Sequence, residues 1–125
     1  MKKDICNRVD IEQVINTFYS KVLDDDLLAV FFTEKVVINW DIHLSRMCDF
    51  WENMLLFTGN YQGNPMMLHQ HLSNMHHLET AHFNRWLELF VLSVDQHFRG
   101  ANARLAKKKA KNLSAIISKM IKQKV

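Results

Sequence analysis

Glycine and proline are almost missing from this chain, with three Gly and one Pro in 125 residues. So few turn formers exclude the many short strands and tight turns of an all-β fold and leave room for long helices. Cysteine is nearly as scarce. Cys6 and Cys48 make neither a disulfide framework nor a C-x-x-C pair, and read as two reduced thiols. No apolar run approaches the roughly eighteen residues of a membrane span. Met1-Lys2-Lys3-Asp4 is not followed by an apolar stretch of signal-peptide length. These absences lead to the expectation of a soluble, cytoplasmic protein with no membrane partner.

Core-forming material is plentiful. Apolar residues make up 48% of the chain, and 3 Trp, 2 Tyr and 8 Phe give 13 aromatics. The length suits a single domain over 1–125, with a core from about 10 to 122. The net charge of +3 is unevenly spread. After Asp95 there are nine Lys and Arg and no acids, against seven basic and thirteen acidic residues up to and including it. The cluster Lys107-Lys108-Lys109-Ala110-Lys111 reads as a solvated helix face that also complements the helix dipole near its C-terminus. The rival reading is a nucleic-acid-binding helical module. No base-reading motif accompanies the lysines, so nucleic acid is not an expected partner.

Apolar spacing predicts the helices. Asp10 is a candidate N-cap with Gln13 in the reciprocal position. Ile11, Val14, Ile15, Phe18 and Val22 follow at helical steps, and Tyr19 borders that stripe. Residues 27–32 form a short apolar turn or helix in which Phe31 and Phe32 would plug one end of the core. A second long helix spans about 39–57, with Trp40, His43, Leu44, Met47, Trp51, Met54 and Leu55 on one face. Residues 59–64 form a loop, and Pro65 suits the start of a short helix. There Leu68, His69 and Leu72 share one arc, which His71 leaves. A long helix covers about 80–98 with Phe83, Trp86, Leu87, Phe90 and Val94 inward, and Gly100 is its expected C′ residue. A last helix covers about 103–122, burying Ala106, Ala110, Leu113, Ile117 and Met120.

Two histidines, His43 and His69, therefore sit on apolar faces, with polar aromatic tips nearby. A haem iron needs an axial nitrogen, which neutral imidazole supplies. The porphyrin needs apolar walls, and a bound diatomic gas with partial negative charge is held by a donor in a dry site. The chain offers His69 for the iron and His43, Tyr19 and Trp86 as polar tips. Phe18, Phe31, Phe32, Met47, Trp51, Met66, Leu68, Leu72 and Phe83 are candidate walls. A histidine-rich rival remains open, because His69, His71, His76, His77 and His82 could hold zinc or a di-iron centre. A di-iron bundle needs paired Glu-x-x-His motifs on facing helices, and Glu79 with His82 is the only such pair, which speaks against that centre.

Taken together, Phe18-Tyr19, Trp40-x-x-His43 with Phe50-Trp51, Tyr61-x-Gly63-Asn64-Pro65-Met66-x-x-His69-x-x-Leu72 and His82-Phe83-x-Arg85-Trp86-Leu87-x-Leu89-Phe90 resemble a truncated haemoglobin of the third group. The likeness covers roughly residues 10 to 120. It implies an all-α, globin-like two-on-two helical sandwich around a haem, with a shortened or missing first helix. It implies His69 as proximal iron ligand of haem b, and Tyr19 and Trp86 as distal donors. His43 takes the place of the distal histidine that gates entry or contacts the ligand. Met47 flanks the distal side, and Arg46 is a candidate partner for a haem propionate. The implied function is reversible binding of O2, NO or CO. Multiple donors imply slow release, which suits sensing, scavenging or redox chemistry better than bulk oxygen transport. The alternative is an NO dioxygenase or peroxidase-like enzyme, for which a reductase is a candidate partner. The expected assembly is a monomer or weak dimer.

One departure from the family pattern concerns residues 78–81, Leu78-Glu79-Thr80-Ala81, where a proline is usual. That leaves the start of the tryptophan helix unexplained. Cys48, beside Met47, reads as a small buried hydrophobe.

Overall fold

The computed structural model describes residues 2–30, 39–56 and 79–123, with side chains described as far as residue 119. Four long helices carry it: α1 (Arg8–Leu23), α2 (Trp40–Leu56), α3 (Thr80–His97) and α4 (Ala101–Gln123). Among the described residues the extended backbone amounts to one parallel bridge, Lys3 to Phe98. No helix there is long and apolar enough to cross a membrane.

α1 begins three residues earlier than Asp10 would set it. Asn7 is the N-cap, and its side chain accepts from the Asp10 backbone N–H at 3.0 Å. Asp10 is instead the third residue of the helix, where its carboxylate accepts from the Cys6 N–H at 2.9 Å and pairs with Lys3 at 2.7 Å. The carboxylate therefore works in the first turn, where acids also suit the helix dipole. α3 starts at Thr80 without a proline. Glu79 is its N-cap, and the Glu79 N–H donates to Nδ1 of His82 at 2.9 Å, so a histidine fills the position that Glu or Gln takes in a capping box.

Gly100 does not end α3 as expected. The C-cap is Phe98, in extended conformation. Gly100 instead leads into α4, its carbonyl accepting from the Arg104 N–H at 2.9 Å. Its φ of 145° is a backbone shape that only glycine adopts cheaply. The N-terminal segment explains the need. Asp4 lies across this point and accepts from the backbone N–H groups of Asn102 and Ala103, each at 2.9 Å, so it caps α4 from another part of the chain. A Cβ on Gly100 would come 2.5 Å from the Asp4 carboxyl carbon. Ile5, just after Asp4, is 1% exposed, so the core begins nearer the N-terminus than residue 10.

The ties between helices give their directions. Arg8 pairs with Asp49, and Tyr19 meets His43, so α1 and α2 run antiparallel. Lys107 pairs with Asp95, and the Ser114 hydroxyl donates to the Phe83 carbonyl, so α3 and α4 do the same. α1 packs on both α2 and α3. Ala103, Ala106 and Ala110 of α4 are buried, and Ser93 of α3 is fully buried with its hydroxyl on the Leu89 carbonyl at 2.7 Å. Such small residues let helices approach closely. Phe18 and Phe90, each 1% exposed, are the largest fully buried side chains among the described residues, contributing roughly 2–3 kcal/mol apiece.

Candidate functional site

At the end of the molecule where α1 finishes and α3 begins, the filling changes from aliphatic to aromatic. Phe18 and Tyr19 are neighbours in sequence, yet both are buried, because α1 lies between two partners. Phe18 points to α3, where its ring meets Trp86 edge-on at 5.6 Å and Phe90 at 5.5 Å. Tyr19 points to α2, where it meets Trp40 edge-on at 5.5 Å and His43 at 5.1 Å. Phe18 and Tyr19 also touch each other at 4.9 Å.

The Tyr19 hydroxyl lies 2.7 Å from Nε2 of His43. Burial pushes the Tyr19 pKa up, with Cys48 adding to the effect, so the phenol keeps its proton throughout the physiological range. It is therefore a hydrogen-bond donor and not a phenolate ligand. His43 is half-buried, and Trp40 covers it edge-on at 5.8 Å. Two proton arrangements satisfy the pair. Tyr19 can donate to a bare Nε2, or Nε2–H can donate to the phenol oxygen and leave the phenol hydrogen for a third group.

Trp86 is half-buried on α3 and stacked over Phe90 at 5.8 Å with planes 10° apart. Trp51 of α2 is buried and stacks on the other side of the cluster, 4.7 Å from Phe90 and 5.5 Å from Phe50. Phe18 and Phe90 thus join both tryptophans to Tyr19 in one continuous aromatic frame. Met47 is half-buried against the core, Phe83 is half-buried on α3, and Arg46 is exposed on α2. Burial pushes the Cys48 thiol up to about 11, so it stays protonated and packs as a small apolar group.

His69, Phe31, Phe32, Met66, Leu68 and Leu72 lie outside the described residues, as do His71, His76 and His77. Of the expected site, the structure thus brings together Tyr19 and His43 directly, and Trp86 with them through Phe18. Two groups had no role assigned from sequence. Trp40, one helical turn before His43, covers the Tyr19–His43 pair. Arg85, beside Trp86, pairs with Asp25 at 2.7 Å across to the turn that ends α1. The first carried the signal of an i, i+3 spacing; Asp25 is the middle of Asp24-Asp25-Asp26, and nothing in that run marks it as the buried one. Among the described residues no group of three or more His, Cys, Asp or Glu could hold a metal ion.

These residues fit a flat apolar cofactor with polar side chains over one face. The donors are neutral, their ring bodies are packed, and His43 and Trp86 keep an exposed side. A separate apolar void between Ile11, Ile15, Trp51 and Leu55, of about 10 Å³, is too small for any ligand.

No protein-family model matches the chain. The group 3 truncated hemoglobin ctb of Campylobacter jejuni is 31% identical to it over 98 residues, which span 76% of this chain and 75% of that protein. The crystal structure of the group III truncated hemoglobin from Campylobacter jejuni superposes with a TM-score of 0.75 at 26% identity, covering 97% of this chain and 95% of that one.

Proposed function

The chain belongs to the group III truncated haemoglobins, all-helical haem globins, and from that premise we propose that it binds O2, or another diatomic gas such as NO or CO, reversibly at a b-type haem held by His69. The observation that carries this reading is the 2.7 Å bond between the buried Tyr19 phenol and His43, set in an aromatic frame that includes Trp86. When bound, the haem supplies an iron centre that takes a diatomic ligand. His69 would hold that iron through an imidazole nitrogen. Met47, Phe83 and the residues from Met66 to Leu72 would line the group, with Arg46 a candidate partner for its propionates.

Tyr19 and Trp86 would donate hydrogen bonds to the ligand. His43 restrains Tyr19 when the pair is closed. When His43 itself donates, the phenol hydrogen is released toward the ligand. Several donors on one small ligand slow its escape, which suits a cytoplasmic scavenger or sensor. The same slow release would serve NO dioxygenation if a reductase resupplies electrons; sustained NO consumption with an electron donor separates that activity from simple binding.

The deciding experiment is an absorption spectrum of the purified protein, ferric, then dithionite-reduced, then under CO. A strong Soret band that shifts sharply on CO is the expected result. His69→Ala should lose the haem or its axial bond. No Soret band after haem is supplied would overturn the reading, and an unchanged histidine-ligated ferrous spectrum in His69→Ala would remove His69 from its role.

A further inference from the structure

Trp86 and Tyr19 stand on different helices, so their convergence depends on how α3 sits along α1. Farther along the pair, Gln13 and Thr17 of α1 each lie 3.0 Å from a ring nitrogen of His97. At this end, among the described residues, two kinds of tie cross the gap. The apolar edge contacts of Phe18 with Trp86 and Phe90 resist separation but tolerate sliding. The other tie is directional. Nε of Arg85, the residue before Trp86, donates to Oδ1 of Asp25 at 2.7 Å.

Asp25 is well placed to transmit position. Its side chain is 7% exposed. Its second oxygen accepts from the Leu28 N–H at 3.1 Å, its own N–H donates to the Val22 carbonyl at 3.1 Å, and its carbonyl accepts from Ala29 at 2.8 Å. The carboxylate is therefore fixed to the last turn of α1 and the bend after it. On the other side, Nη1 of Arg85 donates to Glu88 at 2.8 Å on its own helix, which sets the plane of the guanidinium. A buried carboxylate held from both directions by hydrogen bonds keeps one register, because leaving it uncompensated is costly.

We propose that the Arg85–Asp25 pair is a positioning device that fixes the register of Trp86 against Tyr19, and so sets how the two donors meet the ligand. This rests on the haem reading above. Neither residue touches the ligand; both act through Trp86 and α1. Loss of one well-aligned donor hydrogen bond corresponds to a several-fold change in ligand release.

The test uses the haem-loaded protein. Asp25→Asn keeps an acceptor for Leu28 but removes the charge; Arg85→Gln removes the cation. Each should raise the O2 dissociation rate about fivefold, move the Trp86 indole N–H resonance and shift the C–O stretch of the CO complex. The indole signal is identified by its loss in Trp86→Phe. The double variant should match either single one. Arg85→Lys keeps the charge without the directed Nε–H and should fall between, so it carries the test if Arg85→Gln does not fold. Lowered thermal stability with the indole resonance and C–O stretch at wild-type positions would overturn the proposal, leaving a plain structural tie. Additive effects in the double variant would overturn it as well. A wild-type protein lacking a Soret band would overturn the haem reading and this proposal with it; a normal Soret band with unmoved spectra overturns this proposal alone.

Discussion

The two ends of the helical stack are built on different plans. Where α3 passes into α4, the filling is Val94, Phe98, Ala103, Ala106 and Ala110, closed by the Asp4 clip, and every one of these apolar side chains is buried. Where α1 passes into the turn after it, the filling is Tyr19, Trp40, His43 and Trp86, in which the Tyr19 hydroxyl meets Nε2 of His43 and three of the four side chains are half-buried. The same helices, α1 and α3, take part in both. One end carries stability through tight packing and satisfied backbone groups. The other holds hydrogen-bond donors in place and keeps a face open. Damage to the first should cost stability and leave ligand chemistry alone; damage to the second should do the reverse.

The sharpest way to break the closed end is Gly100→Ala. The new Cβ meets Asp4 and forces a φ of 145° on a residue that resists it. The α4 cap would have to move. Unfolding free energy should fall by about 3 kcal/mol, from backbone strain and a lost cap together, with the O2 dissociation rate unchanged. Denaturant melts with stopped-flow kinetics check both halves; a faster ligand release in this variant would show that the two ends are not separable. The same clip gives an acid limb. Burial alone would raise the Asp4 pKa, but the N–H donors of Asn102, Ala103 and Ile5 outweigh it and hold the carboxyl below its ordinary 3.8. Asp10 is likewise held low, against burial, by Lys3 and the N–H of Cys6. Both groups stabilise the fold fully above the ordinary aspartate pKa. That contribution is lost as pH falls below it toward the depressed folded values. Asp4→Asn should flatten the decline of stability between pH 5 and 2, and an unchanged decline would assign it to other carboxylates.

At the open end the counterpart is Tyr19→Phe. The ring and its contacts with Phe18 and Trp40 stay, and only the hydroxyl goes. O2 dissociation should quicken by roughly tenfold, about 1.4 kcal/mol for one hydrogen bond to the ligand. Stability should change by less than about 1 kcal/mol, since His43 is half-buried and water can replace the phenol. A flash-photolysis or stopped-flow rate equal to wild type would remove Tyr19 from the donor set.

The helices were legible because scarce Gly and Pro left the apolar period uninterrupted. The ends of α2 and α3 fall within a residue of the expected 39–57 and 80–98. The caps were not legible, for tertiary reasons. Asp10 looked like an N-cap, and what made it a first-turn residue was Lys3 and the Cys6 N–H folding back onto it. Asp4 reaches Asn102 and Ala103 across nearly a hundred residues, so no local pattern announces it. In the site, Tyr19 stood one step off the α1 stripe. It is buried because α2 covers the flank that α3 leaves, and a single-helix periodicity holds no record of a second partner. His43 and Trp86 were legible as polar tips on apolar faces. The register between them, set by a buried aspartate in an acidic run, was not.

The smallest expected effect belongs to the outer face of α4, which takes part in neither plan. Arg104, Lys108, Lys111 and Lys119 are exposed and recur at steps of four, three and eight, opposite Ala103, Ala106 and Ala110. Such spacing is a single helical face turned to water. Lys107 at its border pairs with Asp95 at 2.7 Å, but the aspartate side chain is 50% exposed. An ion pair this wet gains little over hydration and loses side-chain entropy. Arg104 and Lys107 also lie near the positive end of the helix dipole, which works against them. Lys107→Ala should therefore change stability by less than about 0.5 kcal/mol, less still at high salt, with no change in ligand release. Salt-dependent retention of the wild-type protein on duplex DNA, lost when these cations are replaced, would give the face a partner after all. Without it the lysines are a solvated face, and the described helices divide into a tightly packed end and an end whose polar aromatics keep an exposed side.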